Sequence, residues 1–108
     1  MLEDFDTDWL VEILLPLTHN DGSPVDQDVM SAIRQELVDR FGGLTAFTRS
    51  PAEGVWTSAA GDSRDDIVVL EVMARGLDRP WWGAWRIRLE ALLSQEEVVI
   101  RATRLERL

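Results

Sequence analysis

Cysteine and lysine are both absent from this chain of 108 residues, and histidine occurs only once. The lack of cysteine excludes disulfide bonds, iron–sulfur clusters and thiol catalysis, and it agrees with a reducing cytoplasm. The longest apolar stretch, residues 10–17, is interrupted by Glu12 and is too short to span a bilayer. The acidic first eight residues also lack the apolar core of a signal peptide. We therefore expect a soluble, cytoplasmic protein without a membrane partner.

Positive charge is scarce as well, since 20 acidic residues stand against 11 arginines and give a formal net charge of −9. An acidic domain of this kind repels phosphate backbones, so we expect no nucleic-acid partner. Four of the acidic residues, Glu3, Asp4, Asp6 and Asp8, lie in the first eight positions. We interpret residues 1–8 as an acidic, partly disordered tail on a single domain that covers residues 1–108.

Apolar stretches and clusters of turn-forming residues indicate six secondary-structure elements. The predicted order is a strand at residues 10–17, a helix from 24 or 26 to 41, a strand at 44–48 that resumes at 55–58, a strand at 67–73, a helix that begins at 78 and a strand at 98–103. The interruption at residues 50–54 is predicted to be a turn or bulge. Residues 60–65 are predicted to form a polar hairpin loop.

Each predicted helix has an apolar stripe and recognisable ends. The stripe of the first helix consists of Val29, Ile33 and Leu37, which recur every four residues. Ser23 or Asp26 can cap the start of this helix, and Gly42 suits the left-handed residue that ends it. Asp78 is the predicted cap of the second helix, with Pro80 in the first turn. The predicted stripe of the second helix consists of Trp81, Trp85, Leu89 and Leu92, with Trp82 and Leu93 beside it.

The order β-α-β-β-α-β predicts an α+β fold of the ferredoxin-like type. In this fold an antiparallel sheet of spatial order 4-1-3-2 carries both helices on one face, and right-handed crossovers favour it over its mirror image. Alternation within the strands then assigns the faces. The residues predicted to face the helices are Val11, Ile13, Leu15, Val68, Leu70, Val72, Val98, Ile100 and Ala102. The open face receives Leu10, Glu12, Leu14, Ile67, Val69, Glu71, Met73, Val99, Arg101 and Thr103.

An aliphatic sheet face of this kind is rarely left in water. A second copy of the same chain is the simplest cover, because closed two-fold pairs are the commonest oligomers. We therefore expect a homodimer that forms through the open face.

The element order and the aliphatic open face together resemble the dimeric α/β-barrel proteins, which pair sheet to sheet and often hold a pocket between the sheets. The stretch Phe41-Gly42-Gly43-Leu44-Thr45, followed by Gly54-Val55-Trp56, is also similar to a group of short bacterial proteins of unassigned function. The resemblance implies a fold and a sheet-to-sheet dimer. The superfamily includes cofactor-free monooxygenases, isomerases, haem-linked enzymes and proteins without known activity, so the fold does not select a function.

Glu12, Glu71 and Arg101 form the most informative group of polar residues. Antiparallel pairing of strand one with strands three and four is expected to bring all three to the same end of the open face. Two carboxylates that lie close together repel, and one of them can acquire the raised pKa of a general base. An ion-pair network within one chain or across a dimer explains the same residues, and the sequence favours this second interpretation.

Three further residues are candidates for ligand binding. His19 lies in a loop of turn-forming residues, where it binds a metal together with Asp21, shuttles protons at the edge of the sheet, or is simply solvated. Trp56 either lines a pocket or covers the core. Arg49 either holds a carboxylate or phosphate group of a ligand or pairs with the acidic surface. No set of His, Asp and Glu has the spacing of a known metal site, so we expect no metal and no cofactor.

Two functional hypotheses follow from these observations. The first is a homodimeric binding or interaction module with a pocket for a small-molecule ligand on the open sheet face. The second is a small cofactor-independent enzyme, similar to a monooxygenase or isomerase, that uses a carboxylate on the same face. The sequence favours the first hypothesis because it contains no recognisable nucleophile or acid–base pair.

Overall fold

The computed structural model describes residues 6–58 and 61–108, with the side chains of residues 48–66 outside the description. Within these residues the elements are strand β1 (Asp8–Pro16), helix α1 (Gln27–Phe41), strands β2 (Thr45–Ser58) and β3 (Gly61–Arg75), helix α2 (Arg79–Leu92) and strand β4 (Val99–Leu105). Neither of these helices is long and apolar enough to cross a membrane. The chain is therefore an α+β domain with two helices and a four-stranded antiparallel sheet over its described part.

The strands lie in the order β2-β3-β1-β4, which is 4-1-3-2 when the same sheet is read from its other edge. Strand β1 is central and pairs with both β3 and β4 in antiparallel fashion. Strand β2 pairs only with β3, and its register shifts between Phe47 and Ala52, next to the predicted turn. The register fixes which side chains of the four strands lie side by side on each face of the sheet.

Both helices begin and end at residues whose chemistry suits those positions. The Asp26 side chain accepts a hydrogen bond from the backbone N–H of Asp28 at 2.7 Å and caps α1. Gly42 follows α1 with a φ of 81°, a left-handed conformation that glycine adopts without steric cost. The Asp78 side chain accepts from the N–H of Trp81 at 3.1 Å and caps α2. The predicted caps Asp26, Gly42 and Asp78 are thus confirmed.

The core lies between the helices and one face of the sheet. The strand residues predicted to face the helices are buried there or pack against the core, and Ile13, Leu15 and Leu70 have no exposed surface. Met30, Ile33 and Leu37 are the buried residues of α1, so the predicted stripe is confirmed at Ile33 and Leu37, whereas Val29 is only partly buried. The face assignment by strand alternation is therefore confirmed for this side of the sheet.

The predicted stripe of the second helix is confirmed at Trp85 and Leu89 and wrong at Trp81 and Leu92. The buried residues of α2 are Trp82, Trp85 and Leu89, with Leu93 fully buried just after the helix. Trp81 is half-buried and Leu92 is 52% exposed. Both stripes share Trp85 and Leu89, and Trp81 and Trp82 are equally apolar, so periodicity did not separate them. Packing decides in favour of Trp82, whose ring stacks on Phe41 with centroids 5.1 Å apart.

The strands are longer than the sequence indicates. Strand β1 begins at Asp8, so Asp8 belongs to the sheet rather than to the predicted acidic tail. Strand β3 begins at Gly61, so residues 61–65 pair with β2 instead of forming a polar loop. Polar residues can occupy such a two-stranded extension because the hydrogen bonds between the strands satisfy their backbone groups.

We predict that Trp85→Ala lowers the free energy of unfolding by roughly 3–5 kcal/mol, the usual cost of deleting a large buried aromatic side chain. Trp85 is only 3% exposed, and its indole Nε1–H donates a 2.6 Å hydrogen bond to Glu36. The matched control is Ile87→Ala, because Ile87 lies on the same helix but is 61% exposed. Its expected cost is within about 0.5 kcal/mol. Equal losses in urea denaturation would show that the helix is rotated from the orientation described above.

Candidate functional site

The open face of the sheet carries side chains in rows that run across the strands. The first row contains Phe47, Val69, Leu14 and Val99. The second row contains Thr45, Glu71, Glu12 and Arg101. The third row contains Met73, Leu10 and Thr103. A charged row, defined by Glu71, Glu12 and Arg101, is therefore flanked on both sides by rows that are mainly apolar.

Glu12 is the centre of the charged row because β1 is the central strand of the three. It pairs in register with Glu71 on β3 and with Arg101 on β4. The Arg101 Nε–H donates a hydrogen bond to Glu12 Oε1 at 3.0 Å, so the two groups form an ion pair. The Glu12 side chain is 20% exposed and that of Arg101 is 57% exposed. This ion pair is half open to water, and its contribution to stability is correspondingly small.

Glu71 has no arginine beside it in this row, and its position changes its acidity. Partial burial raises the pKa of the Glu71 carboxyl above its ordinary value. The negative charge of Glu12 and a hydrogen bond with that residue raise the pKa of Glu71 further. Arg101 compensates Glu12 on the opposite side, which leaves Glu71 as the member of the pair that holds a proton more readily. The predicted cluster of Glu12, Glu71 and Arg101 thus exists as a geometric feature of the open face.

The surroundings of the charged row are apolar but accessible. Leu10, Leu14 and Val69 are half-buried. Phe47 and Met73, which flank the row towards the β2 side, are 49% and 53% exposed. A face that combines exposed large apolar side chains with a half-buried charged row is typical of a surface that contacts a ligand or a partner.

The charged row can perform two kinds of chemistry. A carboxyl group with a raised pKa can accept and return a proton near neutral pH, which is the task of a general base. The same row can also form complementary ion pairs with a surface of opposite pattern. Within the described residues, no group of three or more His, Cys, Asp and Glu side chains is arranged to hold a metal ion.

His19 lies away from the charged row. It is in the loop after β1, and its Nδ1–H donates a hydrogen bond to the backbone carbonyl of Leu93 at 2.8 Å. The neighbouring side chain of Gln95 donates to the carbonyl of Thr18 at 2.7 Å. These two bonds attach the loop to the end of α2, so the structure gives His19 a positioning contact in the fold.

Asp21, which the sequence suggested as a partner of His19, is engaged locally. Its carboxylate accepts hydrogen bonds from the backbone N–H and the hydroxyl of Ser23, at 2.9 and 2.5 Å. These bonds hold the pKa of Asp21 below its ordinary value, and the charge of His19 contributes less. The arrangement is an Asx-type turn, which such residues commonly form in loops.

Two of the predicted ligand-binding residues cannot be placed in the site. The side chains of Arg49 and Trp56 lie outside the described part of the structure. The backbone register places Trp56 opposite Ser63 in the β2–β3 pair, and Arg49 lies in the segment where the register shifts. Their role in ligand binding therefore remains a prediction from the sequence.

Sequence reasoning missed a cleft next to the start of α2. It has a volume of about 820 Å³, and its lining includes Arg40, Arg75 and Arg79. The three arginines come from the end of α1, the end of β3 and the start of α2. Arg75 and Arg79 are only four residues apart, whereas Arg40 is distant from both in the chain, so no sequence pattern indicates that the three line one cleft.

We predict that Glu71→Gln stabilises the isolated chain at neutral pH. The folded state raises the pKa of Glu71, so it binds this proton more tightly than the unfolded state does. The associated stability is complete below the unfolded value of about 4.3 and is lost as the pH rises through the folded value. Glutamine mimics the protonated form, so the variant should melt higher than the parent at pH 8, and the two should converge near pH 4.

Tryptophan fluorescence at submicromolar concentration is a suitable measurement, because the chain has five tryptophans and self-association is then minimal. Glu97→Gln is the control, since Glu97 is an exposed carboxylate outside the charged row. A lower melting temperature for Glu71→Gln at pH 8 would mean that the ionised carboxylate is favourably paired within one chain.

Comparison with known proteins gives the fold but no family. Neither the scan against family models nor the search of curated proteins gives a match. A phage SAM lyase solved in complex with S-methyl-5'-thioadenosine is similar, with a TM-score of 0.62, 16% identity, and coverage of 91% of this chain and 81% of that one.

Two divalent cation tolerance proteins are similar to the same extent. CutA1 from Thermus thermophilus has a TM-score of 0.60 and 15% identity over 93% of this chain and 85% of its own. CutA1 from Oryza sativa has a TM-score of 0.62 and 9% identity over 96% of this chain and 84% of its own. At these identities the likeness establishes a shared small ferredoxin-like α+β fold.

Proposed function

We propose that this chain is a homodimeric binding module whose two copies pair through their open sheet faces and hold a small-molecule ligand beside the charged row. The observation that carries the proposal is the pattern of that face, in which a row with charges of both signs lies between apolar rows. The dimer and the pocket are also what the resemblance to dimeric α/β-barrel proteins implies.

The apolar rows supply the driving force for pairing. Phe47 and Met73 each expose about half of their surface, and Leu10, Leu14 and Val69 are only half-buried in the single chain. Covering these side chains removes apolar surface from water, which contributes about 25 cal/mol for each Å². A second copy of the chain presents the same apolar rows at the same spacing, so the two faces match without a further partner.

The charged row supplies the specificity. Suppose that a two-fold axis lies between the two sheets, is parallel to the strands and passes Glu12. The charged row of the second copy then runs in the opposite direction to that of the first. Arg101 of the partner subunit then lies opposite Glu71, and Arg101 lies opposite Glu71 of the partner subunit. Each Glu12 then lies opposite Glu12 of the partner subunit, and one arginine from each copy flanks this pair of carboxylates. Glu71, which has no arginine beside it in the row of one chain, thus faces an arginine in the dimer. This electrostatic complementarity favours pairing of the two copies.

We predict that Arg101→Glu weakens dimerisation at least about tenfold, because every charge in both rows is then negative and like charges oppose each other directly. Adding Glu71→Arg to that variant should restore the dimer, since the double exchange reverses the row but keeps one arginine and one glutamate beside Glu12. Sedimentation velocity over a concentration series measures the dissociation constant for the parent and both variants.

Arg107→Glu is the matched control, because it makes the same change of charge at an exposed residue beyond the end of β4. Its dissociation constant should remain close to that of the parent. The pairing also predicts that the dimer weakens as the pH falls through the raised pKa of Glu71, since protonation removes the charge that faces the partner arginine. A monomeric parent at micromolar concentration, or a double variant that fails to recover, would contradict the proposed interface.

A second candidate function is supported by the raised pKa of Glu71. In this case the open face is the active site of a small cofactor-independent enzyme, and Glu71 removes a proton from a substrate that lies against the apolar rows. The fold is compatible with an enzyme, since a structurally similar protein is a SAM lyase. The sequence identity of 16% to that protein transfers no substrate and no residue role to this chain.

A thermal-shift screen of metabolites, with S-methyl-5'-thioadenosine among them, separates the two functions. For every compound that raises the melting temperature, NMR spectroscopy follows whether the compound is consumed. An enzyme that uses Glu71 should consume it, and Glu71→Gln should abolish consumption while binding persists. A binding module should leave the compound intact in both proteins. Consumption at an equal rate by parent and Glu71→Gln would eliminate Glu71 as the base.

A further inference from the structure

A second concave surface lies between the two helices, on residues that line neither the open face nor the cleft at the start of α2. This helix groove has a volume of about 550 Å³, within the range of small-molecule sites. Its floor consists of Ile33, Trp85 and Leu89, which are buried in the core and also line the groove. All of the lining residues belong to α1 and α2, so the helix groove is separate from the open face of the sheet.

Small side chains leave the helix groove unfilled. Ala32 of α1 and Ala91 of α2 each contribute only a methyl group to its sides, and both residues are exposed. Leu92 also lines the groove and remains 52% exposed, although periodicity assigns it to the apolar stripe of α2. The apolar surface of α2 is therefore wider than the core requires, and part of the surplus lines the groove.

The polar part of the lining is a network of three side chains. The indole Nε1–H of Trp85 donates a hydrogen bond to Glu36 Oε1 at 2.6 Å. The Nη2 group of Arg88 donates to the same oxygen and forms an ion pair with Glu36. The Glu36 side chain is 44% exposed and that of Arg88 is 66% exposed, so a ligand in the groove can reach both groups.

This network leaves both an acceptor and donors for a ligand. Among the described residues, the two side chains that donate to Glu36 both reach Oε1, and none donates to Oε2. Arg88 uses its Nη2 group for Glu36, and the rest of the guanidinium carries further N–H donors. An acceptor and several donors therefore lie side by side, on two residues whose charges cancel.

The charge pattern of this ion pair selects the kind of ligand that complements it. A carboxylate ligand would attract Arg88 but repel Glu36, and an ammonium ligand would do the reverse. An uncharged amide or lactam meets neither repulsion, because its N–H and C=O groups are adjacent and match one acceptor and one donor. The apolar remainder of the lining suits an apolar body next to that edge.

We propose that the helix groove binds a small uncharged molecule with an apolar body and an amide or lactam edge. The body lies over Ile33, Trp85 and Leu89. The N–H group of the ligand donates to Glu36 Oε2, and its carbonyl oxygen accepts from Arg88. This site does not depend on the dimer or on the function proposed for the open face, because no residue of the charged row lines the groove.

Three compounds with one ring system test the amide edge. Naphthalene-2-carboxamide has both the N–H and the C=O group, 2-acetylnaphthalene keeps only the carbonyl oxygen, and naphthalene-2-carboxylate is negatively charged. NMR titration that follows the indole N–H signal of Trp85, assigned with Trp85→Phe, gives a dissociation constant for each compound. We expect the carboxamide to bind about fivefold more tightly than the ketone, the effect of one additional hydrogen bond. The carboxylate should bind more weakly than the carboxamide.

Glu36→Gln tests the acceptor directly. The glutamine side chain keeps one oxygen to accept from the Trp85 indole, but it has an NH₂ donor in place of the second carboxylate oxygen. The carboxamide should therefore lose its advantage, and the carboxamide and the ketone should bind this variant with equal affinity.

The double variant Ala32→Leu/Ala91→Leu tests the position of the site. The two larger side chains narrow the groove, so the carboxamide should bind at least about tenfold more weakly because its ring system loses the contacts it needs. The matched control is Ser31→Leu/Ala84→Leu, which introduces leucine at one exposed residue of each helix outside the groove. The control should bind the carboxamide as the parent does, and urea denaturation checks that both variants fold.

Four results would contradict the proposal. These are no saturable binding of the carboxamide to the parent, equal affinity of the parent for all three compounds, a carboxamide advantage that persists in Glu36→Gln, and an equal loss in the two leucine variants. Equal affinities would indicate an apolar groove without selectivity. If the parent is instead a dimer that only Ala32→Leu/Ala91→Leu dissociates, a second copy of the chain occupies the groove.

Discussion

The pairing of strand β1 with its two neighbours is the constraint on which the rest of the structure depends. Its inward side chains, Val11, Ile13 and Leu15, are almost entirely buried beneath the helices. A shift of one residue in its register would exchange the two faces and place Glu12 in the core. The cost of burying an unpaired carboxylate there strongly disfavours such a shift.

The same register determines the chemistry of the open face. With the apolar side chains of β1 directed inward, Glu12 must lie outward, and antiparallel pairing places Glu71 and Arg101 on either side of it. One arginine cannot compensate two carboxylates equally from one side of the row. The hydrogen bond from Arg101 goes to Glu12, and the pKa of Glu71 rises. The proposed dimer and the alternative of a general base both derive from this asymmetry, because an uncompensated carboxylate either finds a partner charge or exchanges a proton.

The charged row and the arginine-lined cleft are formed by different parts of the fold. The charged row is a direct consequence of strand alternation and pairing, and its members lie on three strands of one sheet. The arginine cleft forms where the end of α1 meets the start of α2, and the aromatic cluster of Phe41, Trp81 and Trp82 holds these ends together. Packing of bulky rings against each other leaves a concave edge, and arginines at the helix ends and at the end of β3 line it. Trp82 therefore belongs to the core and also lines this cleft.

The sequence by itself determined the element order, the helix caps and the two faces of the sheet, because these depend on local chemistry and on a period of two along each strand. It also determined that Glu12, Glu71 and Arg101 share one face. It did not separate Trp81 from Trp82 as the buried residue, since both are equally apolar and adjacent, and only the packing of α2 against the core decided that Trp82 is the buried one. It did not show that β3 begins at Gly61, because residues 61–65 have the composition of a polar loop and pair with β2 in the folded chain. Tertiary structure alone decided that Arg40 lines one cleft with Arg75 and Arg79, since the end of α1 reaches the start of α2 only when both helices pack against the sheet.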